Sequence, residues 1–205
     1  MARSLKPLVF ALSLGPLAWL LWTGATGGLG ANPIDKITDE TGTWTLRFLL
    51  ATLAVTPLRR LTGWNRLVSL RRMLGLFAFF YGTLHFLTWV VLDQFFAFDL
   101  MLKDVAKRPF ITAGFTALML MVPLALTSTA ASIRRMGGRR WQMLHRLAYV
   151  SATAGVVHYW WLVKADITRP RRYAVALGVL LGVRVYFAWR KARLASSLRA
   201  PAGAG

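Results

Sequence analysis

Residues 138–161 read GRRWQMLHRLAYVSATAGVVHYWW. After a basic start the stretch is apolar enough, and long enough, to cross a bilayer. It holds two of the three histidines in the chain, His145 and His158. Thirteen residues separate them, a rise of roughly 20 Å in a helix. The third, His85, lies in a second apolar run, Met73–Leu92. Imidazoles at set depths on two membrane helices are what a transmembrane haem chain needs, because haem iron takes axial histidines. A lone intramembrane histidine serves equally well as a hydrogen-bond donor to a neighbouring helix. With all three inside apolar runs, and polar intramembrane groups costly and usually functional, ligation is the better reading.

The composition agrees. Of 205 residues, 56% are hydrophobic, and the mean hydropathy is +0.49. These values mark an integral membrane protein. The absence of cysteine excludes disulfides, iron–sulfur clusters and thiol catalysis. A net charge of +19 would suit a nucleic-acid binder, but the basic residues sit in short segments between apolar runs, the pattern that sets membrane topology. Nucleic acid is therefore not an expected partner, and membrane lipid is.

Six apolar runs follow one another. The first, about Pro7–Gly27, reads as a retained helix rather than a signal peptide, since no small-x-small cleavage site is evident. A polar loop, ANPIDKITDETGTW (31–44), is expected next. The second run is about Thr43–Leu58 and contains Arg47, which can snorkel to the nearer face. The third carries His85. Then comes DQFFAFDLMLKDVAKRP (93–109), expected to lie along the interface as a short amphipathic segment. The fourth run is about Phe110–Thr127, the fifth holds His145 and His158, and the sixth is about Tyr173–Trp189. The expectation is an all-α, integral membrane six-helix bundle with haem held between helices. It forms a single domain over 1–205, with a mobile cytoplasmic tail over about 190–205.

Charge fixes the orientation. The N-terminal segment, the second and fourth loops and the tail carry fifteen lysines and arginines and no acid, whereas every acid lies in the other three loops. By the positive-inside rule both termini are cytoplasmic. His85 then lies roughly 20 Å outward from Arg72. His158 lies eighteen residues outward from Arg140, so both fall in the outer half at matched depth and can clamp one iron. His145, five residues past Arg140, lies near the cytoplasmic face. The positions on the third run that would pair with it are Arg71 and Arg72. An arginine pair binds phosphate or carboxylate well, so a haem propionate or flavin phosphate fits; basic helix ends also simply anchor spans. On an ideal helix thirteen residues turn roughly 220°, so His145 and His158 do not share a face unless a distortion intervenes, for instance at Gly155.

The segments LRRMLGLFAFFYGTLHF (70–86) and RRWQMLHRLAYVSATAGVVHYWW (139–161) resemble the ferric-reductase-like transmembrane domain, and more narrowly the MsrQ (YedZ) family. The W-x-x-L-H-R-L-x-Y pattern with a histidine thirteen residues on, and the Arg-Arg before a run with one histidine, carry the resemblance. It implies b-type haem in a bacterial inner membrane, with the family's haem-associated histidines falling on His85, His145 and His158. It implies FMN, for which Arg71 and Arg72 match the basic pair. It also implies electron flow outward to a periplasmic molybdopterin-containing methionine sulfoxide reductase subunit (MsrP), from the quinone pool or a cytosolic flavin reductase. The chain would be the electron-transfer subunit, not the catalytic one. No Gly-rich nucleotide fingerprint is present, so the donor is separate. A stand-alone ferric or quinone-linked reductase is the alternative. A cofactor-free transporter is disfavoured, because no acid lies within a predicted span.

Overall fold

The computed structural model describes residues 2–197. They form helices throughout: α1 (Ala2–Ala25), α2 (Pro33–Thr62), α3 (Val68–Leu87), α4 (Phe98–Lys107), α5 (Pro109–Leu126), α6 (Ala130–Met136), α7 (Gly138–Leu144), α8 (Leu147–Leu162) and α9 (Thr168–Ser197). Four stretches are long and apolar enough to cross a membrane: Leu5–Ala25, Asn65–Asp93, Pro109–Leu126 and Thr168–Leu194. Helix α2 is long but begins in polar sequence, and α8 has 16 residues. The chain is helical through Ser197, and the rest of the tail expected beyond Arg190 lies outside the described residues.

Two expectations are corrected. The polar stretch 31–44 is not a loop, since α2 starts at Pro33. Proline at the first helical position has no N–H to lose, and Asp35 sits in the favourable first turn. Thr38, Thr41 and Thr45 then return their hydroxyls to the carbonyls of Ile34, Ile37 and Thr41 at 2.7–2.8 Å, so polar side chains are satisfied within the helix. The helix stops at Gly63, whose φ of 70° suits glycine and whose N–H caps Arg59 O at 2.9 Å.

The second correction concerns the stretch 138–161, which is not one helix. It breaks at His145 and Arg146 into α7 and α8. There three bonds within four residues are of the tighter i to i−3 kind: Arg146 N to Met143 O, Ala148 N to His145 O and Tyr149 N to Arg146 O. The distortion lies at His145 itself, not at Gly155. Each residue of that geometry turns about 120° rather than 100°, which swings His145 and His158 about 60° nearer a common face. The segment expected to be amphipathic is α4, flanked by exposed Phe96 and Phe98.

Helix α3 packs along α2, and α8 along α5; α2 also meets α8, and α3 meets α5. The four close a ring, with α3 and α8 on one diagonal. Helix α9 leans on α2 and α8, and α1 on α2 and α3. Between membrane helices small residues allow close approach, and here Ala78, Ala152 and Ser151 are fully buried. Gly82 admits the Met121 methyl where a Cβ would stand 3.1 Å away. Phe48 stacks between Phe77 and Tyr81, at 5.6 and 5.4 Å.

Candidate functional site

The ring brings His85 on α3 and His158 on α8 together across its diagonal, with ring centroids 6.0 Å apart and planes at 75°. The two rings stand side by side, as the expected pairing of His85 with His158 requires. The two rings are held alike. His85 Nδ1 donates to Thr38 O on α2 at 3.0 Å, and His158 Nδ1 donates to Phe110 O on α5 at 2.6 Å. A carbonyl only accepts, so the proton is on Nδ1 and the Nε2 lone pair is free. This is the arrangement in which a metal-ligating imidazole is oriented by a backbone carbonyl.

Four residues beyond each carbonyl stands a glycine, one turn along the same face. A Cβ at Gly42 would lie 3.0 Å from His85 Nδ1, and one at Gly114 would lie 2.7 Å from His158 Nδ1. Each imidazole therefore presses close against bare backbone, where a side chain would collide with it. The two half-sites, TDETG on α2 and FITAG on α5, were not singled out from sequence. Their only signal is a lone glycine inside a helical pattern, which often has a packing reason.

The donor set fits haem. Among the described residues no three His, Asp or Glu side chains converge to hold a metal ion. Two imidazoles suffice only where a macrocycle supplies the equatorial ligands. With metal–nitrogen bonds of about 2 Å, two rings on one iron have centroids about 6 Å apart, as found here.

His145 is held differently. It stacks on Trp141 with centroids 3.9 Å apart, and its Nε2 lies 3.1 Å from Thr127 Oγ1. The Thr127 hydroxyl gives its proton to Pro123 O at 2.6 Å, so the imidazole donates through Nε2. Trp141 Nε1 donates to Thr127 O at 2.9 Å, closing a small cluster at the end of α5. Arg71 is half-buried and within electrostatic range of His145, whereas Arg72 is exposed. The structure adds Arg184, which lies within range of Arg71 and Arg60. Its guanidinium donates to Leu53 O, to Leu180 O at 3.2 Å, and lies 5.1 Å over the Tyr149 ring. Leu53 O has lost its helical partner because Pro57, four residues on, lacks an N–H.

Of the aromatic residues near the outer pair, Phe86 packs on Phe115 and Trp89 at 6.1 and 6.0 Å. Tyr81 turns away: its hydroxyl donates to Ser13 O at 2.8 Å and accepts from Leu17 N at 3.1 Å on α1. Trp161 is exposed, as a membrane-belt residue should be.

Comparison with known proteins places the chain in a family. Residues 41–156 match the family described as "Ferric reductase like transmembrane component". The chain is 55% identical to the protein-methionine-sulfoxide reductase heme-binding subunit MsrQ of Ralstonia nicotianae over 193 residues, covering 93% of this chain and 89% of the relative. It is 54% identical to the same subunit of Herminiimonas arsenicoxydans over 91% of this chain and 87% of that one. With the Rhodospirillum rubrum subunit it shares 51% identity, over 94% and 91%. A family match across more than half the chain, full-length relatives and a diagonal histidine pair in a helical membrane core agree: the chain belongs to the MsrQ family of ferric-reductase-like transmembrane proteins.

Proposed function

We propose that this chain is a membrane b-type cytochrome, the subunit that relays electrons outward to a periplasmic molybdopterin-containing methionine sulfoxide reductase. The observation that carries the reading is the pair of Nδ1-anchored imidazoles 6.0 Å apart. When bound there, haem supplies one-electron chemistry. His85 and His158 would be its axial ligands. Thr38 O and Phe110 O fix their tautomer and plane, while Gly42 and Gly114 leave them room. The six apolar runs are six spans of a bacterial inner membrane, with α7 and α8 together making the fifth and both termini cytoplasmic.

The inner half gathers positive charge without compensation. Every acid of the chain lies at 35–40, 93–104 or 166, toward the other face. His145, Arg71 and Arg184 would face an anionic group, the FMN phosphate or a haem propionate, because guanidinium forks suit both. Electrons would enter on this side, from the quinone pool or a cytosolic flavin reductase. The test is the absorption and EPR spectrum of purified protein, together with haem iron and FMN per polypeptide. We expect His85→Ala or His158→Ala to abolish the low-spin signature. An unchanged spectrum in either variant would remove the outer pair from the reading.

A further inference from the structure

Topology accounts for the basic residues of the inner face but not for those of the outer one. Under the orientation proposed above, Lys164, Arg169, Arg171 and Arg172 lie within nine residues on the side that should be poor in positive charge. The three arginines open α9, where it meets α2 and α8. Between these three helices lies a cavity of about 520 Å3. Arg47, Arg169 and Arg172 line it with Tyr159 and Tyr173, while Leu50 and Ala176 make its wall apolar. Val175 and Val179, beside Ala176, are exposed on α9 and mark its lipid-facing side.

The carboxylates at this cavity are already engaged. Asp39 pairs with Arg169 at 3.3 Å, and Glu40 with Lys36 at 3.1 Å. Arg47 has no carboxylate in contact among the described residues. Its Nε donates to Tyr173 OH at 3.3 Å, and its guanidinium sits 4.5 Å from the Trp44 ring. On the other side of Arg47 a second groove of about 340 Å3 lies between α1 and α2, lined by Gly15, Pro16, Trp19, Trp44 and the Lys36-paired Glu40. An exposed arginine thus stands between two grooves, each with apolar walls and the first with two further guanidiniums.

We propose that this is a binding site for one anionic phospholipid of the outer leaflet. Its phosphate sits on Arg47 and Arg172, and its acyl chains lie in the flanking grooves. Guanidinium forks match a phosphodiester, basic pockets between spans are a recognised way to hold lipid headgroups, and Trp19 and Trp44 are the residue type that settles at headgroup depth. Lipid is favoured over a protein partner because the grooves run along the spans beside lipid-facing valines.

The experiment is native mass spectrometry of the full chain, purified in mild detergent and titrated with phosphatidylglycerol or phosphatidylcholine. We expect one phosphatidylglycerol retained per chain under washing that removes phosphatidylcholine. Arg47→Gln with Arg172→Gln should lower retention at least tenfold, while Arg108→Gln, outside the cavity, leaves it unchanged. The haem absorption of each variant reports folding. If the double variant loses it, Arg172→Gln alone is read, since that side chain is exposed. Equal retention in wild type and variant overturns the proposal. So does displacement of the lipid by inorganic phosphate at equal concentration, or extraction of a quinone in its place. A reporter fused at the C-terminus checks the orientation separately, so that a wrong leaflet is distinguishable from an absent site.

Discussion

Replacing Gly114 by alanine puts the reading of the outer site at risk through a single methyl group. The new Cβ would stand 2.7 Å from His158 Nδ1 and 3.0 Å from its Cγ and Cε1. Ordinary van der Waals contact begins near 3.4 Å, so the imidazole must retreat by roughly 0.7 Å or turn. Metal–ligand bonds tolerate only about ±0.2 Å, and the retreat also pulls Nδ1 from Phe110 O. Overpacking of a well-filled site costs about 1–3 kcal/mol; with tenfold per 1.4 kcal/mol, haem affinity should fall between about fivefold and about a hundredfold. Gly42→Ala is the graded partner. Its Cβ would meet His85 at 3.0 Å, so the loss should be smaller. Gly178→Ala is the control, because nothing lies within 4 Å and alanine favours a helix by up to about 1 kcal/mol. Haem per polypeptide and the α-band of the reduced protein are the readouts. Full haem content with an unshifted band in Gly114→Ala would refute the claim that these glycines seat the axial ligands.

The inner site and the topology give three further tests. Arg71→Gln should lower FMN per polypeptide more than Arg72→Gln, because Arg71 is half-buried and Arg72 exposed; equal losses would return both to an anchoring role. Arg184→Met should lower thermal stability by about 1–3 kcal/mol by orphaning Leu53 O. Adding Pro57→Ala supplies the missing N–H, so the double variant should recover much of that loss in the same melting assay. A reporter fused after Gly205 should be active only in its cytoplasmic format; periplasmic activity would reverse every depth assigned here.

Much of this was legible in the sequence, for definite reasons. Hydropathy marked the apolar runs because lipid-facing helices need apolar residues along their length, and four stretches are helices long and apolar enough to cross a membrane. The segregation of acids gave relative depth, and depth alone paired His85 with His158 rather than with His145. What escaped notice was backbone behaviour. The stretch 31–44 is polar, yet its threonines satisfy themselves against their own helix, which hydropathy does not register. The break at His145 carries no proline or glycine and is stabilised from outside by Thr127 at the end of α5, which meets His145 Nε2 and accepts from Trp141 Nε1. The carbonyls of Thr38 and Phe110 could not be foreseen, since any residue has a carbonyl; only the glycines four positions on left a mark. Arg71 and Arg72 are adjacent in sequence, and neighbours on a helix point about 100° apart, so their unequal burial could not be read from the pair alone.

The helix irregularities follow one rule. In hydrocarbon no water is present to satisfy a freed backbone group, so each break in a ladder must be met by the protein. Pro16 disturbs α1, and the Tyr81 hydroxyl of α3 enters the Ser13–Leu17 step. Pro57 frees Leu53 O on α2, and Arg184 of α9 takes it. The turn at His145 is held by Thr127 at the end of α5. These three irregularities therefore become ties between helices, connecting α1 to α3, α9 to α2 and α7 to α5. The pairs α2/α3 and α5/α8 are closed in the same way at the outer site, where each histidine of one helix caps a carbonyl of its partner. An imidazole anchored at Nδ1 to a neighbouring helix is fixed in tautomer, plane and depth before any iron arrives. Under the proposed reading, structural tie and ligand would be the same side chain. The hydrogen-bonding histidine and the haem-ligating histidine, set against each other as alternatives by the sequence, would then be two edges of one ring.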